Sequence, residues 1–98
     1  MFARITPFKM KQGSRDEAMK IMEGVKSQIL DLDGMQHFVC AMDDSGSGYI
    51  VSLVSSKEAS DGNADRVKKI WANFSGLLEQ PPVPGAYEVL ADWAPQPA

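Results

Sequence analysis

The chain has 98 residues, 44% of them hydrophobic and 23% charged, with a net charge of −3. That is the size of one domain, too apolar for disorder and without the run of about 18 apolar residues that a spanning helix needs. The mild acidity excludes the concentrated positive charge with which proteins hold nucleic-acid phosphates, so neither nucleic acid nor membrane is an expected partner.

Phe2 to Phe8 mixes β-branched and aromatic residues and reads as a first strand. Ser14-Arg15-Asp16-Glu17 then has the form of a capping box, in which the Ser14 hydroxyl and the Glu17 side chain satisfy free amides of a first helical turn. Behind it Ala18, Ile21, Met22, Val25, Ile29 and Leu32 recur at three- and four-residue spacing, one apolar helical face. Asp33-Gly34 ends this helix.

Two strands follow, Met35 to Met42 and Tyr49 to Ser55, joined by the polar, glycine-rich Asp43–Gly48 connection. A second capping box, Ser55-Ser56-Lys57-Glu58, opens a second helix, which hesitates at Asp61-Gly62-Asn63 and resumes with Val67, Ile70, Trp71, Phe74, Leu77 and Leu78 on one face. The prolines at 81, 82 and 84 stop it. Ala86 to Trp93 reads as the last strand. One domain is expected over 1–94, with a flexible tail over 95–98.

This order, βαββαβ, predicts an α+β ferredoxin-like fold: one four-stranded antiparallel sheet, strands one and three at its centre, two helices on one face. The second face should then carry a polar row in every strand if it met water. Instead Met35, Val39 and Ala41 oppose Phe38, Cys40 and Met42, and Tyr49, Val51 and Leu53 oppose Ile50 and Val54. The inner strands are apolar on both sides, which predicts a homodimer joined through the sheets.

The same chain resembles the antibiotic biosynthesis monooxygenase-like family of the dimeric α+β barrel superfamily. The likeness lies in the element order and in two local features. Ser56-Lys57-Glu58-Ala59 is similar to the Ser-x-Glu-Ala that opens the family's second helix, and Asp33-Gly34 stands where the family commonly has Pro-Gly. The resemblance implies a barrel of two sheets face to face. It also implies a pocket between sheet and helices for a small hydrophobic or aromatic molecule, and either oxygenation of quinol-like compounds without metal or flavin or ligand binding without catalysis. Three departures stand against haem degradation and specific oxygenase residues: Val54 in place of the family's Trp, no His on the second helix, and no Asn on the first strand.

The single histidine, His37, and the single cysteine, Cys40, lie three apart on one strand and so on opposite faces, which argues against a nucleophile–base dyad within one subunit. His37 is the candidate base, provided that it faces the same cavity as Trp71. Trp71 and Phe74 are candidate pocket walls, and Arg4, Tyr49 and Tyr87 candidate polar contacts. Metal and cofactor sites are not expected: one His, one Cys and scattered carboxylates fall short of a zinc site, and no GxGxxG, P-loop or CxxC is present. One cysteine and an N-terminus without an export signal place the expected site of action in the cytoplasm.

Overall fold

The computed structural model describes residues 1–95. Its elements follow in the order β1 (Phe2–Lys9), α1 (Arg15–Leu30), β2 (Met35–Met42), β3 (Ser47–Val54), α2 (Lys57–Gly62), α3 (Ala64–Ala72) and β4 (Gly85–Glu88). The strands form one sheet in the order β2-β3-β1-β4, antiparallel throughout. This is the ferredoxin-like arrangement expected from the element order. Among the described residues no helix is long and apolar enough to cross a membrane.

Register assigns every strand residue to a face. Directly paired residues share a face, and neighbours along a strand alternate. One row runs Phe38–Ser52–Arg4–Ala86, the next Cys40–Ile50–Thr6, the next Met42–Gly48–Phe8. Phe8, Phe38, Met42 and Ile50 pack against the α1 and α3 stripes, so these rows face the helices. The core there is built on Phe8, Met10, Val25, Ile29, Ile70 and Phe74, each at most 9% exposed. The opposite, open face carries the rows His37–Leu53–Ala3–Tyr87, Val39–Val51–Ile5–Gly85 and Ala41–Tyr49–Pro7.

Five local expectations are corrected. The second helix does not hesitate but breaks into two, so the sheet carries three helices and not two. The break is at Asn63, whose side chain is spent on the turn after α1: Oδ1 accepts from the Asp33 amide at 3.0 Å and from Arg66 at 2.8 Å, and Nδ2 donates to the Asp33 carbonyl at 2.9 Å. Ser14 makes no side-chain cap on α1; its hydroxyl is buried without a partner. The cap of the next helix is Ser56 and not Ser55, its hydroxyl accepting from the Ala59 amide at 3.1 Å. Ser55 is instead drawn to the preceding turn, where its amide donates to the Gly34 carbonyl.

The fourth correction concerns Met35. A register irregularity between Met35 and His37 puts one extra residue, Gln36, into the edge strand β2. Met35 consequently pairs with Val54 on the helix side and leaves the face of Val39 and Ala41. The fifth concerns β4, which ends at Glu88. Beyond it the Val89 amide bonds the Met1 carbonyl, and the chain then runs clear of the sheet with Leu90 and Trp93 almost fully exposed. Of the tail expected over 95–98, residues 96–98 lie outside the described part.

Candidate functional site

The helix-facing side of the sheet is apolar except for Glu88, exposed at the β4 edge, and a polar group at its centre. Along β1 the inward positions read Phe2, Arg4, Thr6 and Phe8, and beside Arg4 on β3 stands Ser52. Three polar side chains therefore sit together on the two central strands, beneath the helices. Above them lie Met22 and Ile29 of α1 and Val67, Ile70 and Trp71 of α3, with Phe74 just beyond α3 and Phe38 from β2 on the flank. Between the two layers is a cavity of about 40 Å³ lined by these residues. It has room for a few waters or one small polar group.

A larger pocket, about 400 Å³, opens beside it at the β2 edge of the sheet. This is within the range of about 300–1,000 Å³ usual for small-molecule sites. Glu23, Lys26 and Leu30 of α1 and the bulged Gln36-His37 segment of β2 form its rim. Met22, Ile29 and Phe38 line both spaces, so these three side chains form the partition between them. Methionine has three rotatable bonds and few steric demands, which makes Met22 the most movable part of that partition.

Aromatic packing fixes the inner wall. The Trp71 ring is tilted against Phe8 at 6.0 Å between centroids and meets Phe74 edge-on at 5.8 Å. Both distances suit quadrupole-favoured aromatic pairs. Trp71 is only half-buried, and so keeps part of its surface toward the cavity.

Among the described residues Arg4 is the one cationic side chain lining the inner cavity. Its NH1 donates to the Ser60 carbonyl at 3.3 Å, while its Nε is buried and makes no hydrogen bond. Among the described residues no carboxylate pairs with it. An unpaired buried donor on a charged group is costly, which distinguishes Arg4 from an ordinary surface arginine.

The six candidate side chains thus divide by face. Arg4, Trp71 and Phe74 meet at the cavity. His37, Tyr49 and Tyr87 lie on the open face. His37 adds to the rim of the outer pocket from the strand edge, but its pairing with Leu53 turns it away from Trp71. Within one subunit His37 and Tyr87 are three strand spacings apart, about 14 Å. Cys40 stands on the helix-facing row with Ile50 and Thr6, opposite to His37, and loss of water around its sulfur pushes its thiol above the ordinary value. Sequence reasoning passed over Thr6, Ser52, Phe38 and Met22. The signal for the first two was present: a polar residue at an inward position of a central strand, where the alternation calls for an apolar one.

No family model matches the chain, and no curated protein matches it in sequence. Solved structures do. A Nitrosomonas europaea protein of unknown function superposes with a TM-score of 0.77 over 98% of this chain and 95% of its own, at 14% identity. A second protein of that organism, provisionally named an antibiotic biosynthesis monooxygenase, gives 0.75 over 91% and 89% at 10% identity. One from Caulobacter crescentus with the same provisional name gives 0.74 over 92% and 90% at 14% identity. At such identities the likeness is one of architecture: the chain has the fold of the antibiotic biosynthesis monooxygenase-like proteins.

Proposed function

We propose that the chain is a homodimer that binds a small hydrophobic or aromatic molecule in each subunit, in the paired pockets between helices and sheet. The observation that carries this reading is the pocket itself. A polar cluster of Arg4, Thr6 and Ser52 is set under an aromatic wall of Trp71, Phe74 and Phe38, next to a ligand-sized opening. A protein built only for stability gains nothing from a half-buried guanidinium that no described carboxylate pairs with and whose Nε is buried without a partner.

The dimer reading rests on the open sheet face. Val39, Tyr49 and Tyr87 are 45%, 58% and 56% exposed there, and Ile5, Val51 and Leu53 lie between them. Burying each such side chain is worth roughly 1.5–3 kcal/mol before association costs, enough in aggregate to hold two sheets face to face. The exposed Leu90 and Trp93 extend from the same edge and add apolar area to the contact.

The chemistry proposed is that of a cofactor-independent monooxygenase-like oxidoreductase on an aromatic or quinol-like substrate, in line with the provisional names of the proteins that share the fold. A second reading, binding or sensing without turnover, is favoured by one specific feature. The lining of the inner cavity contains neither carboxylate nor imidazole, so no ordinary general base stands over a bound molecule. Turnover would then need a substrate acidic enough to ionise in contact with Arg4.

Native mass spectrometry of gently purified protein tests the binding and assembly together. The expected result is twice the chain mass, with or without a retained small molecule. A monomer at micromolar concentration refutes the assembly. Oxygen uptake on adding hydroquinones or anthrones then separates the two readings: uptake abolished by Trp71→Ala supports the oxygenase, and binding without uptake supports the sensor.

A further inference from the structure

We infer that the ligand of this pocket carries an acidic oxygen, a carboxylate, phenolate or enolate on a flat apolar body, and that Arg4 is the residue that receives it. The inference rests on the pocket reading above and adds to it the chemical class of the ligand.

Four observations converge on this. Arg4 projects from the central strand β1 into the inner cavity, and its Nε is buried without a hydrogen bond. Its one side-chain hydrogen bond among the described residues is a long one from NH1 to a backbone carbonyl, which neutralises no charge. Among the described residues no acidic side chain pairs with it. Finally, Ser52 stands directly across the strand pair and Thr6 lines the same space, so hydroxyl groups flank the guanidinium. A planar, five-donor cation with a free buried donor, set between hydroxyls in a largely apolar pocket, is a site for an anionic oxygen, to which it offers short charge-assisted bonds.

The volumes sort the ligand into two parts. About 40 Å³ beside Arg4 takes a head the size of a carboxylate and excludes a ring. The space of about 400 Å³ beyond Met22, Ile29 and Phe38 takes the body. A ligand that spans both must displace the partition, and the flexible Met22 side chain is the part that gives way. The head then lies against Arg4 while the nearer edge of the body reaches the Trp71 wall.

The test compares two probes of nearly equal shape, 2-naphthoate and the neutral 2-naphthalenemethanol. Binding is read from the Trp71 indole N–H resonance and by calorimetry, with wild type, Arg4→Met and Arg4→Lys. Wild type is expected to hold the carboxylate tighter by about tenfold or more, the scale of a hydrogen-bonded charge contact. Arg4→Met should erase that preference while leaving the melting temperature unchanged or higher, and Arg4→Lys should keep part of it. If both probes bind wild type equally, or if the preference survives in Arg4→Met, the acidic-oxygen inference falls and the pocket reading stands. If neither probe moves the Trp71 resonance, the pocket reading falls and takes this inference with it.

Discussion

Asn63 offers the sharpest test of how the pocket is held in place, because its side chain ties the α2–α3 break to the turn that leads into β2. The perturbation is Asn63→Ala. It removes three hydrogen bonds at once: two from the amide of Asp33 and the guanidinium of Arg66 to Oδ1, and one from Nδ2 to the Asp33 carbonyl. Asn63 itself is 2% exposed, whereas Asp33 lies at the surface, so water can replace part of what its backbone loses. Each net hydrogen bond is worth about 0.5–1.5 kcal/mol, and partial rehydration puts the sum at about 2–3 kcal/mol. For a domain of this size that lowers Tm by roughly 10–20 °C. Urea denaturation at fixed protein concentration measures it, since stability of a dimer depends on concentration. The expected signature is a lower midpoint with an unchanged slope. Asn63→Asp keeps the acceptor oxygens, loses the Nδ2 donor and sets a carboxylate against the Asp33 carbonyl, and should fall between. A cost below about 0.5 kcal/mol for Asn63→Ala would refute the claim that this side chain holds the turn.

Three further outcomes are expected. Val51→Lys, in the middle of the open face and on the side of the sheet opposite the helices, should halve the mass seen in sedimentation while the far-UV spectrum of the fold persists; an unchanged mass would show that this face is not the contact. Gly34→Ala should destabilise by about 1–3 kcal/mol in chemical denaturation, because φ is +70° and the new Cβ would meet Ser55 Oγ at 2.5 Å and Ala59 Cβ at 2.9 Å. Asp43 is held below the usual carboxylate range, first by the Ser45 hydroxyl bond, which with the Ser47 and Ser45 amides and the Lys9 charge outweighs the opposing effect of lost water. A depressed folded value means that its contribution to the hairpin is complete above the unfolded pKa and is lost as pH falls through the folded one. Acid titration should therefore shift the Ser45 and Ser47 amide resonances together, and Asp43→Asn should flatten that shift.

How far the sequence could be read depended on whether a feature was periodic or positional. The α1 stripe and the two-sided apolar strands are periodic, and they led to the element order, the central pairing of β1 with β3 and the unpartnered second face. The errors all sit at single residues where a local pattern admits two solutions. Ser55 and Ser56 both suit an N-cap by composition, and only the pull of the Gly34 turn on Ser55 leaves the cap to Ser56. Ser14 and Glu17 match a capping box, yet the Ser14 amide bonds the Lys11 carbonyl and turns the hydroxyl inward. The extra residue Gln36 cannot be seen in an apolar–polar alternation, since a bulge shifts phase by one and the strand is apolar in both phases. β4 is a further case: Tyr87, Val89, Ala91 and Trp93 keep strand spacing, yet the ladder to β1 ends at the Phe2–Glu88 pair, followed by one bond from the Val89 amide to the Met1 carbonyl.

The site followed the same logic in reverse. Trp71 was legible because it lies on the α3 stripe, and Phe74 because it continues that spacing into the turn just past the helix. Histidine drew attention by its chemistry, and register then carried His37 to the open face, where its neighbours in the row are Leu53 and Ala3. Of the cavity's own polar groups only Arg4 was singled out in the sequence; Thr6 and Ser52 were hidden by their ordinariness as residue types. What makes them informative is that three inward positions on the two middle strands of a small core are spent on polar groups. In a domain whose core rests on about a dozen buried apolar side chains, such a concentration lowers stability unless something polar is to be received there. The open face and the cavity thus make the same argument at two scales: each is a place where the isolated chain is less stable than its own sequence could have made it, and each names the kind of partner that would restore the balance, a second apolar sheet in one case and an acidic oxygen in the other.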